Sequence, residues 1–159
     1  MSSLHHATLV IAHLIEHGET LSVAESITAG GLGHAITTAP GASQVFRGGV
    51  IAYANEVKEN VLGLSHTLIS EYGVVSEEVA LAMALGVREK LDTTWAIATT
   101  GVAGPGSHEG VAEGTVWIAV VGPSQHTLHL QLDSGREAVR TGAISSAIGS
   151  FSRILSART

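Results

Sequence analysis

The chain has 159 residues, of which 45% are hydrophobic and only 14% charged, a balance that excludes disorder and leads us to expect one folded domain over residues 1–159. A formal charge of −6 with eight scattered Lys and Arg excludes a nucleic-acid surface, because phosphate binding needs clustered cations. The absence of cysteine excludes disulfides, thiolate metal sites and a cysteine nucleophile. The opening Met-Ser-Ser-Leu-His-His lacks the basic and apolar regions of a signal peptide. The longest apolar run, Val116-Trp-Ile-Ala-Val-Val121, falls far short of the ~20 residues that span a bilayer. The expectation is a soluble, cytoplasmic protein with no membrane contact.

In chain order, Leu4, Ala7, Ile11 and Leu14/Ile15 recur at helical spacing and Gly18 ends the run. Thr20–Glu25 reads as a buried strand, followed by a helix over 28–37 that stops at Pro40-Gly41. Gly48–Tyr53 reads as a second strand, with Asn55 as N-cap of a helix to Leu62. A short helix over 65–72 closes at Gly73, and Ser76-Glu-Glu opens an alanine-rich helix to about Lys90. Strands follow at 94–99, 115–121 and 126–132, the last two joined by Gly122-Pro-Ser as an antiparallel hairpin. Ser134-x-x-Glu137 has the pattern of a capping box, and Ile144, Ala147/Ile148, Phe151 and Ile154/Leu155 form an apolar stripe behind it. Strands interleaved with helices predict an α/β fold, and the C-terminal hairpin makes its sheet mixed.

The chemistry centres on Ser26. It lies between an apolar strand and the glycine-rich run Ile27-Thr-Ala-Gly-Gly-Leu-Gly33, at a turn where unpaired helix-start amides favour a developing oxyanion. Ser26 is therefore a candidate nucleophile, or a plain N-cap, and the choice rests on a base. Tyr53-Ala-Asn55-Glu-Val-Lys58 supplies one. A lysine near an electropositive helix start, and partly shielded from water, is biased toward its neutral amine, which acts as a general base, and a phenol can relay the proton. The competing reading is a strand-end tyrosine and a solvated surface lysine. Glu56 and Glu59 stand close enough in sequence to oppose the bias.

The loop Thr99-Thr100-Gly101-Val-Ala103-Gly104-Pro105-Gly106 follows another strand, and ligands of open α/β sheets collect beyond such strand ends. The null alternative is a turn that is merely rich in glycine. Neither glycine run fits a phosphate fingerprint: no G-K-[ST] is present, and Ile36 stands where a dinucleotide motif needs its third glycine. Arg136 and Arg140 at the last helix are either an anion-binding pair or a surface pair. His13-x-x-Glu16-His17 imitates a zinc-protease pattern, but it closes a short helix and no third ligand is evident. His126 and His129, three apart on a strand, face opposite ways. No metal and no cofactor are expected.

Together, Ala24-Glu-Ser-Ile-Thr-Ala-Gly30, Gly48-Gly-Val-Ile-Ala-Tyr53-Ala-Asn55-Glu-Val-Lys58, Leu62-Gly63, Gly73-Val-Val-Ser76-Glu-Glu-Val-Ala80, Thr99-Thr-Gly101-Val-Ala-Gly104-Pro105-Gly106 and Gly114-Thr-Val-Trp-Ile-Ala119 resemble, in order, the CinA C-terminal domain family over nearly the whole chain. The resemblance implies a three-layer α/β/α sandwich, a metal-independent homo-oligomer, and a serine nucleophile with lysine and tyrosine partners, here Ser26, Lys58 and Tyr53. Stand-alone members include amidohydrolases that convert nicotinamide mononucleotide and water to nicotinate mononucleotide and ammonia. The expectation is that reaction. Backbone amides near Thr28, Ala29 and Gly30 would hold the oxyanion. Asn55, Thr100, Gly101, Ala103, Gly104 and Arg136 would hold the nucleotide. Alternatives are a non-catalytic nucleotide-binding or assembly domain of the same fold, and a serine amidase for another small carboxamide. The chain departs from the family at Ile27, where cysteine is usual, and at Ala29, where glycine is frequent; both positions bear on substrate preference.

Overall fold

The structure, a computed structural model, describes residues 1–133 and 135–158. Its sheet has the order β2-β1-β3-β4-β5. Strand β1 (Leu21–Glu25) runs parallel to β2 (Phe46–Ile51) and to β3 (Trp95–Gly101). β4 (Thr115–Val121) is antiparallel to β3, and β5 (Gln125–Gln131) is antiparallel to β4. The sheet is mixed, as the hairpin at Gly122-Pro-Ser predicts.

Helices α1 (Ser3–His17), α2 (Gly31–Thr37) and α6 (Arg136–Ser156) pack on one face, and α5 (Glu77–Leu91) on the other, completing the α/β/α layers. Two smaller helices, α3 (Asn55–Asn60) and α4 (His66–Tyr72), connect β2 to α5. The two faces differ in residue size. Toward α1 and α6 the sheet presents Val23, Trp95, Ile97, Ile118 and Val120, and Trp95 meets Phe151 edge-on with ring centres 5.3 Å apart. Toward α5 it presents Ala24, Ala96, Ala98 and Ala119 against Ala80, Met83, Ala84 and Val87. Small residues on both sides let α5 lie close to the strands.

Helix ends follow local chemistry. The Ser2, Ser65 and Ser76 hydroxyls accept amides of His5, Leu68 and Val79, and Gly18 ends α1 with φ 64°. Several boundaries move from expectation. Asn55 is the first residue of α3 and not its cap, which falls on Ala54 without a side-chain bond. β2 begins two residues early and stops at Ile51, and α2 starts only at Gly31 because residues 26–30 are turn. Ser134 lies outside the described residues, so the capping box it would head does too. No helix among the described residues is long and apolar enough to cross a membrane.

Candidate active site

The three parallel strands end on the same edge of the sheet, and the site is built there. Ladder bonding continues past the strand ends: the Ser26 amide donates to the Thr99 carbonyl at 3.0 Å, and the Ala52 amide donates to the Glu25 carbonyl at 2.8 Å. Ser26 is thus fixed between β3 and the segment leaving β2. Beneath it, Glu25 is buried and its carboxylate turns back under the chain. Oε1 accepts the Thr28 hydroxyl at 2.6 Å and the Leu32 amide at 2.7 Å, while Oε2 accepts the Gly33 amide at 3.1 Å. With its proton on Glu25, the Thr28 hydroxyl accepts from Thr99 at 2.8 Å. A carboxylate on the first amides of α2 satisfies groups that the helix cannot pair itself. From α6, Arg140 donates to the carbonyls of Ile27 and Thr28 at 3.2 and 3.4 Å.

Lys58 reaches this turn from α3. Its Nζ stands 3.0 Å from the Ser26 hydroxyl, 2.8 Å from the Ala52 carbonyl and 3.2 Å from the Tyr53 carbonyl. The side chain is only 1% exposed. Burial pushes its pKa down from the ordinary 10.5 to about 8. The cause is loss of water, one of the two causes that the sequence suggests; the helix-start field has no part in it. Glu56 is exposed, and Glu59 faces His66 at 3.0 Å, so among the described residues no carboxylate pairs with the amine. A neutral amine has two N–H bonds and one lone pair. Two carbonyls take the N–H bonds, and the lone pair is left for the hydroxyl proton of Ser26.

A cleft of about 330 Å³ opens over the pair. Of the residues that the sequence puts forward, Ser26, Lys58, Tyr53, Asn55, Thr100, Gly101, Ala103, Gly104 and Arg136 line it. Gly101 has to be glycine, since an added Cβ would lie 2.7 Å from the Thr115 carbonyl and 2.9 Å from Ile27. Thr100 is buried and its hydroxyl donates to the Val74 carbonyl at 2.8 Å. Val74 and Val75 add an apolar wall, and no carboxylate belongs to the lining among the described residues.

Thr28, Ala29 and Gly30 are not part of the lining. Thr28 is fully buried beneath the turn, and the Ala29 amide is spent on the Ser26 carbonyl at 3.2 Å. Ile27 and Ala103 do line the cleft, and their amides have no hydrogen-bond partner among the described residues. The Ile27 side chain is 5% exposed and packs into the core. Tyr53 is 59% exposed, and its phenol bonds the Arg136 guanidinium at 3.1 Å while its carbonyl holds Lys58. Arg136 also donates to the Gly104 carbonyl at 2.6 Å. The two arginines of α6 therefore separate: Arg136 borders the cleft, and Arg140 braces the Ser26 turn.

Glu25 and Arg140 carry weight that the sequence reading did not give them. The available signal was an acidic residue closing a strand that is otherwise apolar. Among the described residues there is no group of three His, Cys, Asp or Glu able to hold a metal. His13 and His17 stack with centres 4.0 Å apart, and the His17 ring lies 2.8 Å from the His13 carbonyl. His129 lies against Trp117 at 4.7 Å, and His126 lies 2.8 Å from the Ser124 hydroxyl.

Comparison with known proteins agrees with this architecture. The sequence profile of the CinA C-terminal domain matches residues 4–155. A CinA-like protein of Synechocystis sp. is 49% identical over 141 residues, covering 84% of this chain and 33% of that protein. A putative competence-damage inducible protein of Limosilactobacillus reuteri is 48% identical over 139 residues, covering 85% and 34%. The chain thus spans about a third of the length of these relatives. The crystal structure of a competence-damaged protein (CinA) superfamily protein from Klebsiella pneumoniae 700603 superposes with a TM-score of 0.94 at 29% identity, covering 99% of both chains. One from Escherichia coli gives 0.92 at 28% identity, covering 97% of this chain and 90% of the other.

Proposed function

The chain belongs to the CinA C-terminal domain family, and from that premise we propose that it hydrolyses the carboxamide of nicotinamide mononucleotide through a serine acyl-enzyme. The observation that carries the reading is the buried Lys58 amine at 3.0 Å from the Ser26 hydroxyl, with its pKa brought down to about 8. At pH 7 about one molecule in ten then holds the neutral amine, against fewer than about one in a thousand for a solvated lysine.

Lys58 takes the Ser26 proton as Oγ bonds to the carboxamide carbon. The oxygen of the tetrahedral intermediate becomes anionic and accepts the free amides of Ile27 and Ala103; one such donor contributes about 3 kcal/mol. The C–N bond then breaks, and the nitrogen leaves as ammonia with the proton returned from the Lys58 ammonium. Water gives its proton to the same amine and attacks the ester. The carboxylic acid departs and Ser26 recovers its proton. Val74 and Val75 supply an apolar wall for the pyridine ring. Arg136 binds the ribose phosphate, and Tyr53 acts by position, its carbonyl fixing Lys58 and its phenol fixing Arg136.

Ammonia release from nicotinamide mononucleotide by the purified chain tests the reading. Ser26→Ala should lower it at least about a thousandfold with the fold intact, as loss of a nucleophile does elsewhere. Equal turnover by the two proteins contradicts the assignment. Tight binding without product by the unaltered chain favours a binding domain, and turnover of other carboxamides alone favours a different amidase.

A further inference from the structure

His108 is a cleft residue with no part in the scheme above. His108 lines the same cleft as Ser26, Lys58 and Arg136, and the loop that carries it is built with care. His108 and Val111 exchange both backbone hydrogen bonds at 2.9 Å. Between them Glu109 has φ 48° and Gly110 φ 78°, so both central residues are left-handed, as in the tight turn that suits a β-hairpin. The backbone at position 108 is therefore fixed at the base of a two-residue hairpin. The imidazole itself makes no hydrogen bond among the described residues. Its near charged neighbour is Glu109, whose carboxylate lies 3.8 Å from Nε2 with both side chains more than half exposed.

The setting is cationic although the chain as a whole is at −6. Lys58 and Arg136 line the cleft beside His108, and no carboxylate joins them among the described residues. Arg136 spends two of its five N–H donors on the Gly104 carbonyl and the Tyr53 phenol, which leaves three for a ligand while the fork is held still. Lys58 is committed to Ser26 and two carbonyls. An anionic end of a substrate whose amide sits on Ser26 therefore finds unspent donors on Arg136 and His108, beside the neutral side chains of Asn55 and Ser107.

We propose that His108 is a specificity-determining residue that binds the anionic end of the substrate together with Arg136 and selects phosphate-bearing amides over their uncharged counterparts. The inference deepens the amidase reading and rests on it for the identity of the amide, but the anion contact is measurable without turnover. Each imidazole N–H to a phosphate oxygen is a charge-assisted bond, and its loss should weaken binding about tenfold.

The test uses ribose 5-phosphate and ribose as probes, followed by calorimetry and by the imidazole resonances of His108, identified by their absence in His108→Gln. Ribose 5-phosphate should shift those resonances and bind about tenfold more weakly to His108→Gln, whereas ribose should not shift them. His108→Arg, which keeps an N–H donor at this position, should restore most of the affinity. In turnover, His108→Gln should raise KM for nicotinamide mononucleotide about tenfold with kcat within about twofold, and leave nicotinamide riboside unchanged. Equal binding of ribose 5-phosphate by both proteins, or no binding at all, overturns the proposal, as does an equal loss on both amides. His108-dependent binding of ribose 5-phosphate without ammonia release would refute the amidase reading and leave the anion site standing.

Discussion

Glu25 and Lys58 are both buried, both ionisable and both within one residue or one hydrogen bond of Ser26, yet the fold treats them in opposite ways. Glu25 receives one hydroxyl and two backbone amides, a full set of donors for a carboxylate, and it anchors the turn. Lys58 receives two carbonyls and a hydroxyl, a set that a neutral amine satisfies completely, and no acid among the described residues compensates its charge. A buried charge that is fully solvated by the protein is structure. One whose neutral form is equally well solvated is a proton acceptor in waiting.

Substitutions at the two positions should separate activity from stability. The largest effect belongs to Lys58→Met: a fall in turnover of at least about a thousandfold, with stability at pH 7 within about 1 kcal/mol of the unaltered chain, because removing a poorly compensated cation offsets the two bonds lost. The sign of the pH dependence follows from the depressed pKa. Unfolded Lys58 keeps its proton up to about 10.5 and folded Lys58 only to about 8, so between these values the unfolded chain binds more protons. Stability should therefore be lowest below about pH 8 and rise by about 3 kcal/mol toward pH 10.5. Chemical denaturation at pH 7 and 10.5 should show this rise in the unaltered chain relative to Lys58→Met; parallel curves would show that burial does not depress the lysine.

Glu25→Gln should have the reverse signature. One amide hydrogen pair would meet backbone N–H groups, costing about 2–4 kcal/mol in denaturant unfolding, with activity falling because the Ser26 turn loosens. A variant as stable as the parent would show that the carboxylate does not hold the turn. Arg140→Ala should act in the same direction more weakly. Loss of its bonds to the Ile27 and Thr28 carbonyls should cost about 1–2 kcal/mol and lower kcat more than it raises KM. A change confined to KM would instead place Arg140 on the substrate.

The contrast between these charges was only half legible in the sequence. Ser26 and the Thr100–Gly104 loop stand at strand ends, and Tyr53 and Lys58 follow the end of β2, Lys58 within α3, so residue types and positions sufficed to nominate them as candidates, and the family resemblance gave them roles. The depressed lysine was expected from the helix start and from partial shielding, and burial alone is its cause; how far a side chain is buried is a tertiary property that no local pattern encodes. Glu25 was invisible as an anchor because its partners, Leu32 and Gly33, become donors only once the chain turns at Ala29 and Gly30 with φ of 46° and 97°. The hairpin that holds His108 is hidden for the same reason, since Glu109 is not a residue that advertises a left-handed turn. The α/β layering was readable because hydrophobic runs and caps repeat the same message. The alternation of large and small residues between the two sheet faces was not read from it, because face assignment needs the strand register.

The claim beneath all of this is that a lysine sealed from water hands its lone pair to a serine. Carbon-13 NMR of the Lys58 side chain, labelled at Cε and identified by its loss in Lys58→Met, reads the protonation of that amine directly. The account predicts a midpoint near 8, matched by a rate of ammonia release that rises tenfold per pH unit below it and levels off above. A midpoint at or above 10, with a rate flat from pH 6 to 9, would contradict it.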